Sequence, residues 1–583
     1  MLASRSHRIL ASTALALVLA IPLASMAKAP NKLAATPTSA TPAEQAPAQA
    51  LPAQALPAPA LPANDALAAA IGSAANPAAP NPAAANPAAP SPAAATEPAV
   101  PADPLAALDP ADRAVAEKLR DLLATKPEKF FAGKKEAAAA VAFYQQRNLA
   151  PLWLDKGAAN ARAEAVVVRM KAAAADGLEA SDYKAPNFAG LAPDALAEAE
   201  LKLTQTVLTY ARHLQAGRFA YSRVSRNIEL PQAAPEPADI LERVANAADA
   251  GKALDAFSPQ QEPYRKLKAI LAELRGKSGD KSGAADGERA RQIETVIANM
   301  ERWRWYPRDL GSAYVSVNLP DFTLKVVHNG ASVWSTRIVI GKPSMATPLL
   351  SETMKYITVN PTWTVPQTIV QNEYLPALAQ DPTVLERMGL RVSYNGGHVQ
   401  ITQPPGEGNA LGRLRFNFHN RFSVYHHDTQ DKSLFAQDVR AASHGCMRVQ
   451  DPAKYAEVLL NIARPREHWT AQRIKGMFGS SEQDIQLQPT PIWVHLTYQT
   501  AFADTAGKLQ MRRDLYNLDS RTLAAIKRER GNLEPAPERK RDQEIAAGTG
   551  TTKSARPART ATQSMIYETP GYARPLTAQP IYR

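Results

Sequence analysis

Cysteine is almost absent from this chain: Cys446 is the only one among 583 residues. An internal disulfide is therefore excluded, and an idle exposed thiol would be at risk in an oxidising compartment. Long apolar runs are equally scarce. Ile9 to Ala24, interrupted by Pro22, is the one stretch near the roughly 20 residues that span a bilayer. The chain also lacks a nucleic-acid recognition motif, so its net charge of +12 and pI near 9.5 suit either anionic envelope material or plain solubility better than nucleic acid.

What is present at the N-terminus reads as an export signal. Arg5, His7 and Arg8 precede the apolar run, and small residues offer cleavage after Ala27 or Ala29. The expected location is the periplasm, with a tether to the inner membrane if residues 1–27 are retained. Residues 28–104 are dominated by Ala and Pro, with Asn-Pro-Ala-Ala repeats between Asn76 and Ala95. Proline removes backbone donors and alanine offers little apolar surface, so this segment reads as a disordered linker. From Lys527 to Arg583 there are 11 basic and 6 acidic residues, which reads as a disordered basic tail.

Between these lies a multidomain α + β chain. Residues 105–275 show helical spacing, as in Leu203, Val207, Tyr210 and Leu214, and Asp109-Pro110 is a helix-start signal. This is the pattern of a helical support domain. A loop (276–290) and a helix from about Glu288 to Arg304 lead to residue 312. The period then changes to two: Tyr314–Asn318, Thr323–Val327, Val333–Ile340, Tyr356–Val359, Leu390–Tyr394 and Val399–Thr402 read as strands. Arg413–Phe418 and Phe422–His427 read as a hairpin. A β-rich domain is thus expected over 313–503, with a helical insertion near 365–388 and an extension, 504–526, packed on its core.

The lone thiol sits in Ser443-His444-Gly445-Cys446, followed by Met447-Arg448-Val449, and Asp451-Pro452 then starts a helix. The thiol is expected on a tight turn just before that helix. Glycine there allows close approach of a substrate, and the amides of Gly445 and Cys446 can face a developing oxyanion. Alternation in the strand ending at His427 puts His426 with apolar Phe422 and Val424, and His427 with Ser423 and Tyr425. His427 is therefore the imidazole free to activate the thiol. Because the two histidines face opposite ways, a zinc site built from them with His419, His444 and Cys446 is disfavoured.

His427, fifteen intervening residues, then Ser443-His444-Gly445-Cys446 resembles the signature of the YkuD-type L,D-transpeptidases. Arg337–Pro343, Thr347-Pro348, Val359–Pro366, Asn409–Gly412, Tyr425–Thr429 and Leu434-Phe435 are similar to the YcbB-type branch. The likeness covers about 130–520, including the helical region as a scaffold domain. It implies a β-rich catalytic domain with a lid at 365–388. It implies that Cys446 attacks the bond between diaminopimelate and D-alanine in a tetrapeptide stem. A thioester forms, which an amine of a second stem resolves into a 3→3 cross-link. Water or an envelope-protein amine could take the acceptor's place.

The resemblance assigns His427 as base, the carbonyl of Asp428 as its orienting acceptor, and the Gly445 and Cys446 amides as oxyanion donors. Arg448 would engage a substrate carboxylate. Ser443 and His444 would shape the turn, and Tyr425 and Trp363 could line the cleft. Peptidoglycan stem peptides are the implied partners, carbapenems the implied inhibitors, and no metal or nucleotide cofactor is implied. One departure stands out. The small peptidoglycan-binding domain that this branch commonly inserts before the connecting helix is replaced here by the loop 276–290.

Overall fold

The computed structural model describes residues 104–276, 283–395 and 398–529. The expected export signal, nearly all of the linker, the centre of the 276–290 loop, the Gly396-Gly397 turn and the tail beyond 529 lie outside the described residues.

The first part of the chain is helical, as its spacing dictates. Asp109 accepts from the amide of Ala111 (2.9 Å) and starts the helix Pro110–Thr125. The helix Pro193–Ala216 runs through the middle of this region. Leu203, Val207, Tyr210 and Leu214 on it are fully buried, and Gly217 ends it with φ 87° and ψ 171°, a backbone conformation open to glycine. Around it pack Lys134–Gln146, Ala161–Lys171 and Pro237–Asn246, and Trp153 and Tyr144 fill the centre.

The helix Glu262–Gly276 belongs to a different core. Tyr264, Leu267, Ile270 and Leu271 are buried in the same cluster as Val315, Leu324 and Leu496 of the β-rich region. Buried charges join the two parts. Arg304 donates to Glu301 (2.7 Å), to the Asp176 carbonyl (2.5 Å) and to the Tyr264 hydroxyl (3.0 Å), while Asp176 is paired with Arg169 and Lys268. A buried ion network of this kind is costly to break from one side, because it leaves an uncompensated charge. The connecting helix spans Gly283–Trp303, so it starts about five residues before the Glu288 expected, and residues 283–287, expected as loop, are helical. Val296 and Met300 are buried on its inner side.

The strands of the main sheet are β1 Ala313–Asn318, β2 Thr323–His328, β3 Ala331–Gly341, β4 Leu349–Val359, β5 Leu414–Phe418, β6 His426–His427, β7 Met447–Val449, β8 Gln483–Gln486 and β9 Ile492–Thr497. Their order is β5-β6-β7-β3-β2-β1-β9-β4-β8, and β4 also pairs with β5, so the path closes on itself. The helical region contributes one piece: Ile228–Glu229 runs parallel to β4. The helix Pro452–Ala463 begins where Asp451-Pro452 signalled and buries Tyr455, Leu459 and Leu460. The extension also packs as expected: Tyr516, Leu518, Ala525 and Ile526 are buried, although its helix runs on to Arg528 and Glu529 is buried too.

Three expectations need correction. Phe422–His427 is not a full strand: Ser423 has φ 53°, and only His426 and His427 join the ladder. The Asn420 side chain organises the connection instead, accepting from the amides of Phe422 and Val424 and donating to the carbonyls of Phe418 and Val424. The thiol does not precede a helix directly, because β7 intervenes and is pinned between β6 and β3. The insertion is larger than 365–388 and is not purely helical. Trp363–Thr364, Arg391–Asn395 and His398–Gln403 form a separate three-stranded sheet. Its own small core comprises Val365, Ile369, Val370, Leu385, Leu390 and Ile401.

Candidate active site

The site is built on one rung of the sheet. Arg415 of β5 pairs with His427 of β6, and His427 pairs with Arg448 of β7. Side chains paired in register share a face, and neighbours along a strand point to the other. Phe416, His426 and Met447 therefore face the core, where all three are fully buried. His426 packs against Phe418 at 5.0 Å between ring centres, and its Nδ1 lies 3.1 Å from the Tyr455 hydroxyl. On the opposite face stand Arg415, His427 and Arg448, with Tyr425 and Cys446 one step back.

His427 Nδ1 lies 2.5 Å from the carbonyl of Asp428. A carbonyl can only accept, so Nδ1 carries the proton and Nε2 is left as the basic nitrogen. The carboxylate of Asp428 serves the turn: it accepts from the amides of Arg413 (2.9 Å) and Thr429 (2.7 Å) and from Lys432 (2.6 Å). Burial pushes the His427 imidazole down to about 3 and the Arg448 guanidinium pushes the same way; the carbonyls of Asp428 and Leu411 oppose them. The resting ring is neutral at pH 7.

Cys446 is partly exposed. Its Sγ is 4.0 Å from the Ser423 carbonyl, and it also contacts the Tyr425 hydroxyl, which in turn meets Trp363. Burial raises the thiol to about 11, while the Tyr425 amide and hydroxyl, Arg448 and Arg415 pull it back. At rest the thiol is thus protonated and turned to Tyr425, with no hydrogen bond to His427.

The turn carrying the thiol is tightly anchored. Ser443 Oγ donates to the Cys446 carbonyl (2.5 Å) and accepts from the Gly445 amide (3.2 Å). The Gly445 amide, expected to face an oxyanion, is therefore directed at Ser443. The Cys446 amide has no hydrogen-bond partner among the described residues. Gly445 adopts φ 119°, where a side chain is strained. Behind the turn, Thr347 Oγ1 donates to the Gly445 carbonyl (2.8 Å) and accepts from the Gly341 amide (2.9 Å). Tyr516 donates to the Gly341 carbonyl (2.6 Å). Gly341 packs so closely that a Cβ there would lie 2.2 Å from the Met345 carbonyl oxygen.

His444 leaves the turn altogether. Its Nε2 sits 2.8 Å from Glu373 Oε1, on a π-helical turn of the insertion, Val370–Tyr374. Trp363, at the base of the insertion, stands edge-on to Tyr374 at 6.4 Å. The insertion thus touches both the thiol's turn and the thiol's neighbour, as a lid would.

Sequence reasoning singled out Cys446, His427, Arg448, Tyr425, Trp363, Ser443 and Gly445, and the structure places them together. It missed Arg415, Glu373 and Tyr516. Arg415 had a detectable signal, since it is a charged residue in the strand expected to pair with His427. Glu373 and Tyr516 had none, because their contacts bridge 71 and 175 residues. Among the described residues no three His, Cys, Asp or Glu side chains form a metal-binding group, and no helix is long and apolar enough to cross a membrane.

Comparison with known proteins matches two segments of the chain. Residues 312–472 match the L,D-transpeptidase catalytic domain, YkuD, and residues 138–271 match a scaffold domain. A Haemophilus influenzae protein named provisionally as an L,D-transpeptidase is 24% identical over 403 residues, 64% of this chain and 77% of that one. Among solved structures, an L,D-transpeptidase from Mycobacterium smegmatis shares 12% identity over 32% of this chain and 59% of its own, with a TM-score of 0.17. An Enterococcus faecium L,D-transpeptidase solved as a cysteine-to-serine mutant shares 12% identity, covering 46% of this chain and 93% of its own, with a TM-score of 0.15. At those scores the structural matches add no argument, and the assignment rests on the domain match.

Proposed function

Since residues 312–472 belong to the YkuD family of L,D-transpeptidase catalytic domains, we propose that this chain cross-links peptidoglycan stems through a thioester on Cys446. The observation that carries the reading is the rung itself. A lone thiol stands on the same sheet face as an imidazole of fixed tautomer and a guanidinium, on a turn whose backbone requires glycine.

The thiol turns from Tyr425 to His427, and Nε2 takes its proton as Sγ attacks the carbonyl between diaminopimelate and the terminal D-alanine. A pre-formed thiolate–imidazolium pair is disfavoured by the pKa directions of both groups, so proton transfer accompanies attack. The Cys446 amide donates to the oxyanion. The imidazolium then protonates the departing D-alanine amine, leaving a thioester and a neutral ring. An acceptor amine gives a proton to His427 as it attacks, and the thiol is regenerated on departure. Arg448 receives a substrate carboxylate. The lid limits water at the thioester, which favours an amine acceptor over hydrolysis.

We place the reaction in the periplasm, where the export-like N-terminus would deliver the chain, with carbapenems as acylating inhibitors. The test incubates purified protein with disaccharide-tetrapeptides and resolves products by mass spectrometry. Tetra–tri dimers support cross-linking, and tripeptides alone would instead establish a carboxypeptidase. Transfer to a protein amine would appear only when an envelope protein is added. No product from the wild type, with unchanged wall binding by Cys446→Ala, would overturn the enzymatic reading.

A further inference from the structure

The rung that carries His427 holds a second guanidinium. Arg415 pairs with His427 from one side and Arg448 from the other, so the catalytic imidazole stands between two arginines on adjacent strands. Both have an Nε that is buried with no hydrogen-bond partner, and neither forms an ion pair among the described residues. Arg415 is held by two weak contacts: its guanidinium carbon lies 5.7 Å from the Tyr425 ring centre, and Nη2 lies 3.5 Å from Thr358 Oγ1. The acid nearest along the rung, Asp484, accepts from the Thr358 hydroxyl at 2.6 Å through Oδ1 and forms no ion pair with Arg415 among the described residues. A partly buried cation with an orphaned donor is expensive to keep unless something anionic completes it.

Resting on the donor stem argued above, we propose that Arg415 is a specificity-determining residue that receives a second donor carboxylate. The tetrapeptide donor carries two carboxylates near the bond to be broken: one on the diaminopimelate side chain and one on the terminal D-alanine. Two guanidiniums flanking the imidazole, one strand apart on each side, match two anions flanking the scissile bond. Each planar fork can hold its carboxylate by paired hydrogen bonds. Arg448 takes one, Arg415 the other, and the carbonyl between them is brought over Cys446. Because Arg415 also stacks on Tyr425, filling it would tighten the ring against which the resting thiol packs.

The test compares wild type, Arg415→Gln and Arg415→Lys with three donors: the free tetrapeptide, one amidated at the diaminopimelate carboxylate, and one amidated at D-alanine. D-Alanine release gives kcat and KM, and calorimetric binding to Cys446→Ala and its Arg415→Gln double variant gives affinity without turnover. The expected result is a KM raised ~10- to 100-fold in Arg415→Gln for the free donor, with kcat much less affected. Amidating one of the two carboxylates should weaken the wild type similarly and leave Arg415→Gln indifferent. Arg415→Lys should restore part of the affinity, since it keeps the charge but not the fork. If Arg415→Gln still discriminates against both amidated donors as the wild type does, the proposal is overturned. A lower kcat equal for all donors, with a lower Tm, would make Arg415 merely structural and overturns it too. A wild type that releases no D-alanine from any donor removes the proposed function itself, which separates the two failures.

Discussion

The three short strands at the centre of the site have two faces, and the chain uses them oppositely. On one, Phe416, His426 and Met447 are fully buried in the core, with Nδ1 of His426 set against the Tyr455 hydroxyl and its Nε2 enclosed among apolar side chains without a hydrogen bond. On the other, Arg415, His427 and Arg448 carry orphaned donors or a basic nitrogen left open. The two histidines make the contrast sharp. Both are pushed down to about 3, chiefly by burial, yet one is core and the other a base. Environment depresses both; what separates them is the side of the strand on which each stands, and so what each faces.

The comparison predicts that substitutions on the two faces fail differently. The largest effects belong to the cleft. Cys446→Ser and His427→Gln should abolish thioester formation or cut it by ~10²- to 10⁴-fold, while thermal unfolding stays close to wild type. Loss of activity accompanied by a large fall in Tm would blur the distinction. On the core face, Phe416→Ala should cost about 3–5 kcal/mol in urea denaturation. Its residual folded fraction should still be acylated on Cys446.

Thr347→Val comes next. It removes the donor to the Gly445 carbonyl and the acceptor for the Gly341 amide, at a cost of about 1–3 kcal/mol. Acylation should slow as the turn loosens, as stopped-flow reaction with a carbapenem would reveal. The pH dependence follows from the same burial. The Cys446 thiol is raised to about 11, so iodoacetamide labelling of the resting protein should rise well above the ~8.5 of a free thiol. A labelling midpoint near 6 would mean a resting thiolate pair. His427 titrates lower folded than unfolded, so its contribution to stability is complete above ~6.5 and is lost as pH falls towards about 3. The smallest effect is expected at the lid: the His444–Glu373 contact is partly exposed, and Glu373→Gln should change stability by under ~1 kcal/mol. It should speed hydrogen exchange in Val370–Tyr374.

What was legible in the sequence follows the reach of local rules. Helix spacing and the Asp109-Pro110 and Asp451-Pro452 starts were readable because capping is local. The period-two alternation puts His426 and His427 on opposite faces, as the sheet does, although both are buried. The strand's length was not readable, because Asn420 and the left-handed Ser423 replace a regular hairpin. The lid's two longer strands show their period in the sequence, but their membership of the insertion does not: it rests on their pairing with each other and with Trp363–Thr364, which is too short to show a period. The Gly445 amide was misassigned because Ser443, two residues away, captures it. Arg415 was overlooked for lack of a motif, although the strand pairing that exposes it was anticipated.

Intact-mass analysis after mixing the wild type and Cys446→Ala with a tetrapeptide donor tests the central claim most directly. A tripeptide adduct on the wild type, mapped to Cys446 and cleared when an acceptor amine is added, is the predicted result. An adduct on another residue, or D-alanine release by Cys446→Ala at the wild-type rate, would contradict it.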